Sequence, residues 1–335
     1  MRVTENSTYR LLQNNLQRLN QRMETLYTQG ASGRKLNVAS DDPTAVRPVL
    51  TARSQLLHTN RYLETMGVTK DKMQAADGYM ANIEDALQRA KELSINAVNS
   101  ALNSEDLNSI ADGIAAIRAE LLDTANANVD GKYIFAGYQE NVKPFSENPN
   151  YDPAAYDPAN STTWPYMYNG DTNSAKLEIG SGEYIDTAVT GNELFLGVSN
   201  ANWAGGSAAV SGQPEAGHVD IFSVLTRLEE ALRAGNVSDK NGPGGGIQQQ
   251  IGNLDIAASQ EQRLRGQMGV QAARVDTAME HQANVQNDLK QMLSRYQDID
   301  PIDNFSAIIQ QQTALQAAYS LTAKVSDISI LDYLR

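Results

Sequence analysis

Residues 33–50, GRKLNVASDDPTAVRPVL, separate two long stretches of helical periodicity, and their reading decides whether the chain carries one interrupted helix or two helices joined by a working loop. Upstream, Tyr9, Leu12, Leu16, Leu19, Met23 and Leu26 recur at three-four spacing, the narrow seam of a coiled coil. Gly30 and Gly33 can end that helix, because glycine accepts the left-handed C-terminal turn. Asp41 and Asp42 are adjacent, so they do not share a helix face as an acid and base pair at i, i+4 would. Ser40 or Asp42 can instead cap the next helix, with Pro43 in its first turn. Capping leaves Arg34, Lys35, Leu36 and Val38 unexplained, and they suggest an ordered loop that meets a neighbouring chain. Pro48 lacks the N–H of an early helical hydrogen bond, which predicts a helix that starts late or bends.

Working outward, Leu56, Leu63, Met66, Met73, Met80, Leu87 and Leu93 mark a long helical region, with Ile83 and Ala90 on the same face. After NSED, where Asn103 or Ser104 can cap, Leu107, Ile110, Ile114, Ile117 and Leu121 repeat the spacing and predict an antiparallel hairpin with the preceding helix. The period changes at DGKYIFAGYQ. Residues 133–203 hold 12 of the 21 aromatic residues, and prolines 144, 149, 153, 158, 165 and 214 prevent long helices in this region. AKLEIG, EYIDTAV and NELFLGV are short strand candidates, so a small β-rich domain is expected over 133–219, with its aromatics in its core.

Helical pattern returns at Asp220 and stops at Gly235, and NVSDKNGPGGG follows as a loop. From Ile247 a three-four register holds through Leu254, Met268, Val275, Leu289 and Tyr296, and it also passes through the polar Glu261, Arg265, Gln282 and Gln286. In YQDIDPIDNF, Asp300 suits an N-cap and Pro301 the first helical position. A final helix then presents Phe305, Ile308, Leu315, Ala318, Val325, Ile328, Leu331 and Leu334. A seam on an isolated helix buries too little to offset the entropy of ordering it. The first and last helices must therefore pair with each other, with neighbouring subunits, or with both, and heterologous stacking of copies would make a ring or an open tube.

The fold class expected is mainly α: a helical bundle formed by the two ends of the chain, with a β-rich insert. Its parts are terminal assembly helices (1–40 and 300–335), a long-helix body (41–132 and 220–299) and the insert (133–219). Candidate chemistry is sparse. A net charge of −13 opposes binding to nucleic acid or anionic membrane. No cysteine is present, which removes thiol catalysis, disulfides and Cys-ligated metals. His58, His218 and His281 are scattered, GPGGG lacks the lysine of a phosphate loop, and DIDPID lacks the glycine and glutamate of a calcium loop. No catalytic, cofactor or metal residue is assigned. The N-terminus lacks a secretory apolar core and no stretch reaches membrane-spanning length, so export would take another route.

Several blocks closely resemble one family: MRVTE at the start, QGASGRKLNVASDDPTAV at 29–46, ANANVDGKYIFAGYQENVKPF at 125–145, NLDIAASQEQRLRGQMGVQAARVD at 253–276, and the ending from LSRYQDIDPIDNF. They are similar to the hook–filament junction proteins of the bacterial flagellum, hook-associated members of the flagellin superfamily. The resemblance covers the chain to residue 145 and from residue 253 onward, while the remainder matches only in kind. It implies an axial structural protein without cofactor, exported through the flagellum's own channel, with inner coiled-coil helices and an outward β-rich domain. Implied partners are identical subunits in a ring, another junction protein on the hook side, flagellin on the filament side, and a cytosolic secretion chaperone at the C-terminal helices. In that family the motif matched by Arg34, Lys35, Asp41, Asp42 and Pro43 lies in a joint involved in subunit contacts. The assembly-interface candidates are these two basic residues and two aspartates, the six seam residues from Tyr9 to Leu26, and Leu315, Val325, Ile328 and Leu331. RPVL at 47–50 departs from the uninterrupted helical sequence usual at that place. Two other readings stay open: a flagellin filament subunit, though ASDDP and GKYIFAG speak against it, and an enzyme or glycan-binding module carried by 133–219.

Overall fold

The structure, a computed structural model, describes residues 2–99, 102–199, 214–238 and 245–333, with backbone alone for 2–6, 8 and 325–333. Among these, seven α-helices surround a middle region of six short strands. The chain folds as two compact units, Met1–Arg61 with Gln282–Arg335, and Tyr62–His281. This places 41–61 and 282–299 with the terminal helices.

In the first unit, α1 (Arg2–Ser32) packs against α7 (Pro301–Tyr333). α1 ends as its glycine predicts, with Gly33 at φ +68°. α2 (Pro43–Asn99) begins on its proline, capped by Asp42, and runs on through Pro48. The expected late start does not occur: a helix can lose one hydrogen bond near its end when Ala45, Val49 and Ala52 bury its face around the gap. α6 (Ile247–Gln297) spans 51 residues, and α7 restarts the chain with Asp300 accepting from the Ile302 amide at 2.8 Å.

In the second unit, α3 (Ser104–Ala125) runs back along α2, starting in a capping box in which Asn103 Oδ1 accepts from the amides of Glu105 and Asp106 at 2.8 Å. Arg89 on α2 meets Glu120 on α3 at 2.7 Å, the antiparallel hairpin expected from the spacing. α6 lies antiparallel to α2, tied by Lys70–Asp276 at 2.6 Å and by Arg265, which reaches both Asp77 and Glu84 at 2.8 Å. α5 (Ile221–Arg233) packs on α3 through the half-buried pair Arg118–Glu229 at 2.6 Å. Of the polar register positions, Glu261 is buried within this unit, while Arg265 is half-buried and ties α6 to α2.

The middle region holds three two-stranded antiparallel sheets: β1 (Asn128–Val129) with β2 (Lys132–Tyr133), β3 (Phe145–Glu147) with β4 (Tyr166–Tyr168), and β5 (Lys176–Gly180) with β6 (Glu183–Asp186). AKLEIG and the start of EYIDTAV form the β5–β6 pair. NELFLGV does not form a strand: Gly191–Phe195 is the short helix α4. Its N-cap follows from Thr190 and its cause is packing, because Leu194, Phe195 and Val198 all reach the core while Asn192 Nδ2 donates to the Val198 carbonyl at 2.8 Å. Gly191 is required there; a Cβ would stand 2.7 Å from the Tyr168 ring and 2.8 Å from the Phe135 carbonyl. Phe135, Phe145, Trp164, Tyr168, Phe195 and Phe222 are buried together, with Phe195 and Phe222 stacked at 5.5 Å. Most of the larger rings of the insert are therefore core, while Tyr138 and Tyr184 are each 57% exposed.

Candidate assembly interface

The terminal pair is a heptad-spaced seam. On α1, Leu12, Leu16, Leu19, Met23 and Leu26 are half-buried, and on α7, Asn304, Ile308 and Gln311 are buried with Leu315 and Ala318 half-buried, at four-three spacing on each helix. Two of the α7 positions are polar and reach across to α1: Gln311 Nε2 donates to the Leu19 carbonyl at 2.9 Å, and Asn304 Nδ2 to the Leu26 carbonyl at 3.5 Å. Gly30 lets the helices close, since a Cβ there would lie 2.9 Å from Asn304 Oδ1. A search for apolar periodicity passes over Asn304 and Gln311, although buried amides of this kind fix register in paired helices. Gln312 adds a bond to the Tyr27 hydroxyl at 2.8 Å.

Tyr9 is 48% exposed, so it is a weaker seam member than its spacing predicts. Leu315 joins the seam as expected, whereas the side chains of Val325, Ile328 and Leu331 lie outside the described residues. Phe305, expected on the same apolar surface as Ile308, points away: it is 67% exposed. Ile302, Phe305 and Ile309 fall on three-four steps of a second row along α7 and are open to solvent, whereas Tyr319, half exposed, lines a groove with Gln13, Leu16 and Gln17 of α1.

The joint between α1 and α2 sits against the joint between α6 and α7. Lys35 N–H donates to the Gln297 carbonyl at 2.7 Å, Ile299 N–H to the Gly33 carbonyl at 3.1 Å, and Arg34 pairs with Asp298 as an antiparallel bridge. Lys35 Nζ donates to the Arg295 carbonyl at 3.0 Å, placing a cation at the negative end of α6. Part of the basic segment is therefore explained within the chain, while the Arg34 side chain stays exposed. The adjacent aspartates divide the turn between them. Asp41 Oδ2 accepts from the Asn37 and Val38 amides at 2.9 Å, and Asp42 Oδ1 accepts from Thr44 Oγ1 at 2.6 Å and the Thr44 amide at 3.0 Å. The Thr44 hydroxyl, followed by the Ala45 and Thr44 amides and Lys35, holds the Asp42 carboxyl below its ordinary range against a smaller effect of burial. The buried Gln297 amide, with its oxygen toward Arg53, accepts from Nη2 at 3.0 Å and Nε at 3.2 Å. Sequence reading could not find this docking of the two joints, because its partners are about 260 residues apart.

No group of three metal-ligating side chains exists among the described residues, and no helix there is long and apolar enough to cross a membrane. The family model for the bacterial flagellin N-terminal helical region matches residues 3–140, and that for the C-terminal helical region matches residues 251–334. The chain is 23% identical to flagellar hook-associated protein 3 of Escherichia coli over 90% of each chain, and 23% identical to polar flagellin F of Vibrio parahaemolyticus over 91% of this chain and 90% of that one. Among solved structures, FlgL of Xanthomonas campestris superposes with a TM-score of 0.55 at 18% identity, covering 72% of this chain and 98% of that one.

Proposed function

The chain belongs to the flagellin superfamily, and we propose that it is the structural subunit of the hook–filament junction of the bacterial flagellum. The observation that carries this reading is the terminal helix pair, closed on one side by its own seam and open on the other along Ile302, Phe305 and Ile309. Such a pair is self-sufficient enough to form and incomplete enough to need neighbours. Identical subunits in a ring supply those neighbours, which bury the second row of α7. The joint of Arg34, Asp41 and Asp42 lies at the edge of the same pair and makes a lateral contact through the exposed arginine.

On the hook side the ring meets another hook-associated protein, and on the filament side flagellin. Before assembly the exposed C-terminal helix is held by a cytosolic secretion chaperone, and the chain leaves through the flagellar export channel to its place outside the cell. The three-part division follows from this: terminal helices for assembly, the long-helix body for stiffness, and the aromatic-cored insert facing outward. Its role is structural and not enzymatic, in keeping with an insert whose Phe135, Phe145, Trp164, Tyr168 and Phe195 rings are spent on its core. The polar flagellin relative keeps a filament role as the second reading. The test is regrowth on isolated hooks. Purified full chain should enable flagellin to extend filaments from them, and a chain lacking residues 1–29 should not, while retaining the circular dichroism of a folded second unit. Normal regrowth with the shortened chain would overturn the assembly role of α1.

A further inference from the structure

A polar cavity of about 440 Å3 lies within the second unit, beside the N-terminal ends of α5 and α6. It falls in the size range of small-molecule sites. Its lining includes Tyr156, His218, Asp220, Arg227, Gln250 and Asn253. Arg227 is the unusual member: it is 4% exposed, and its Nε and Nη1 have no hydrogen-bond partner. Its guanidinium lies over the Tyr156 ring, 4.2 Å from the centroid, which fixes the plane and recovers only part of the lost hydration. A buried cation without an anion is costly, because desolvation is not offset by a charge-assisted bond.

His218 makes the same demand. Its Nε2 lies 2.6 Å from Arg263 Nη2, and a guanidinium only donates, so Nε2 accepts and the ring proton of the neutral form sits on Nδ1. That Nδ1 is buried and has no partner. Two residues from different elements, each with an unpartnered buried donor, thus line one cavity, and a small turn of either side chain brings its donor to an acceptor placed there. The acidic side chain in the lining, Asp220, bonds to neither of them and is turned to its own helix, one carboxylate oxygen accepting from the Phe222 amide at 3.0 Å and the other from Ser223 Oγ. Water could accept the protons but would leave the charge of Arg227 uncompensated.

We infer that this cavity binds a small organic carboxylate, its oxygens accepting from Arg227 and His218 Nδ1, its body against Tyr156, with the Asn253 and Gln250 amides at the other wall. The chain would then carry a ligand site independent of its assembly surfaces, and an occupied site would join the segment around Tyr156 to α5 and α6.

The test is thermal melting of the full chain carrying Trp203→Phe, followed by the fluorescence of the remaining Trp164, a buried ring whose Nε1 donates to the carbonyl of Asp157 next to Tyr156. Succinate, citrate and glucuronate are compared with sodium chloride at matched ionic strength and with sulfate. At least one carboxylate should raise the midpoint by about 3 °C or more. Arg227→Met should abolish that rise without lowering the midpoint of the ligand-free protein, because it removes an unpaired buried charge. Arg227→Lys, which keeps the charge but loses the stacked plane, should weaken binding at least severalfold and serves should the methionine variant fail to fold. The inference is overturned if no carboxylate exceeds chloride, if sulfate gives an equal rise, or if the rise survives unchanged in the Arg227 variants.

Discussion

Glu261 lies on the register of α6 at a position that spacing assigns to a seam, yet it is a carboxylate. It is wholly buried and neither oxygen has a partner. Burial raises its pKa to about 7, the nearby Glu84 and Asp77 push the same way, and Arg265 offsets them only in part, being shared with both acids. Asp220, buried beneath α5, is also raised to about 7 by burial, against the bonds from Ser223 and Phe222. For an acid whose folded pKa is raised, folding takes up protons. The contribution of these two acids to stability is therefore fully present below the ordinary carboxylate values and is lost as pH rises through about 7. Glu261→Gln should raise its melting temperature by several degrees at pH 7.5 and change it little near pH 4. An equal effect at both pH values would show that this carboxyl titrates alike in the folded and unfolded chain, contradicting the raised pKa. Sequence alone marks Glu261 as out of pattern, but the missing partners are a property of the packed interior.

At the scale of elements, the helices were readable because the three-four period of their apolar residues survives along most of their length and their ends carry ordinary caps. Asn103, Asp220 and Asp300 each accept bonds from the amides that follow them. The failures have two causes. NELFLGV was taken for a strand because a short apolar run carries no period of its own, and the packing of Phe195 and Gly191 made it a helix. The α7 surface was misassigned because its seam is partly polar: Asn304 and Gln311 face α1, which turns Phe305 outward. Those two rows make separable predictions. Phe305→Ser with Ile309→Ser should leave the helicity of the monomer within a few per cent and abolish ring assembly in sedimentation, since both side chains are more than half exposed before assembly. A parallel loss of helicity would mean that the second row is needed within the subunit.

For the whole molecule, the same seam that holds the two ends of the chain together leaves the row of Ile302, Phe305 and Ile309 open to solvent. The paired joints, each an aspartate cap followed by proline, bring residues 33–42 and 295–300 to one place. The two terminal regions are thereby made a single surface although Lys35 and Arg295, which meet there, are 260 residues apart in the sequence. The family blocks in the sequence pointed to this surface, and the physical pattern pointed to the need for a partner; the docking of joint on joint is visible only in three dimensions. Where that surface acts is decided by imaging the protein, labelled within the insert, on intact flagella. The account predicts a single narrow band between hook and filament. Label distributed along the filament would contradict it and assign the chain to the filament itself.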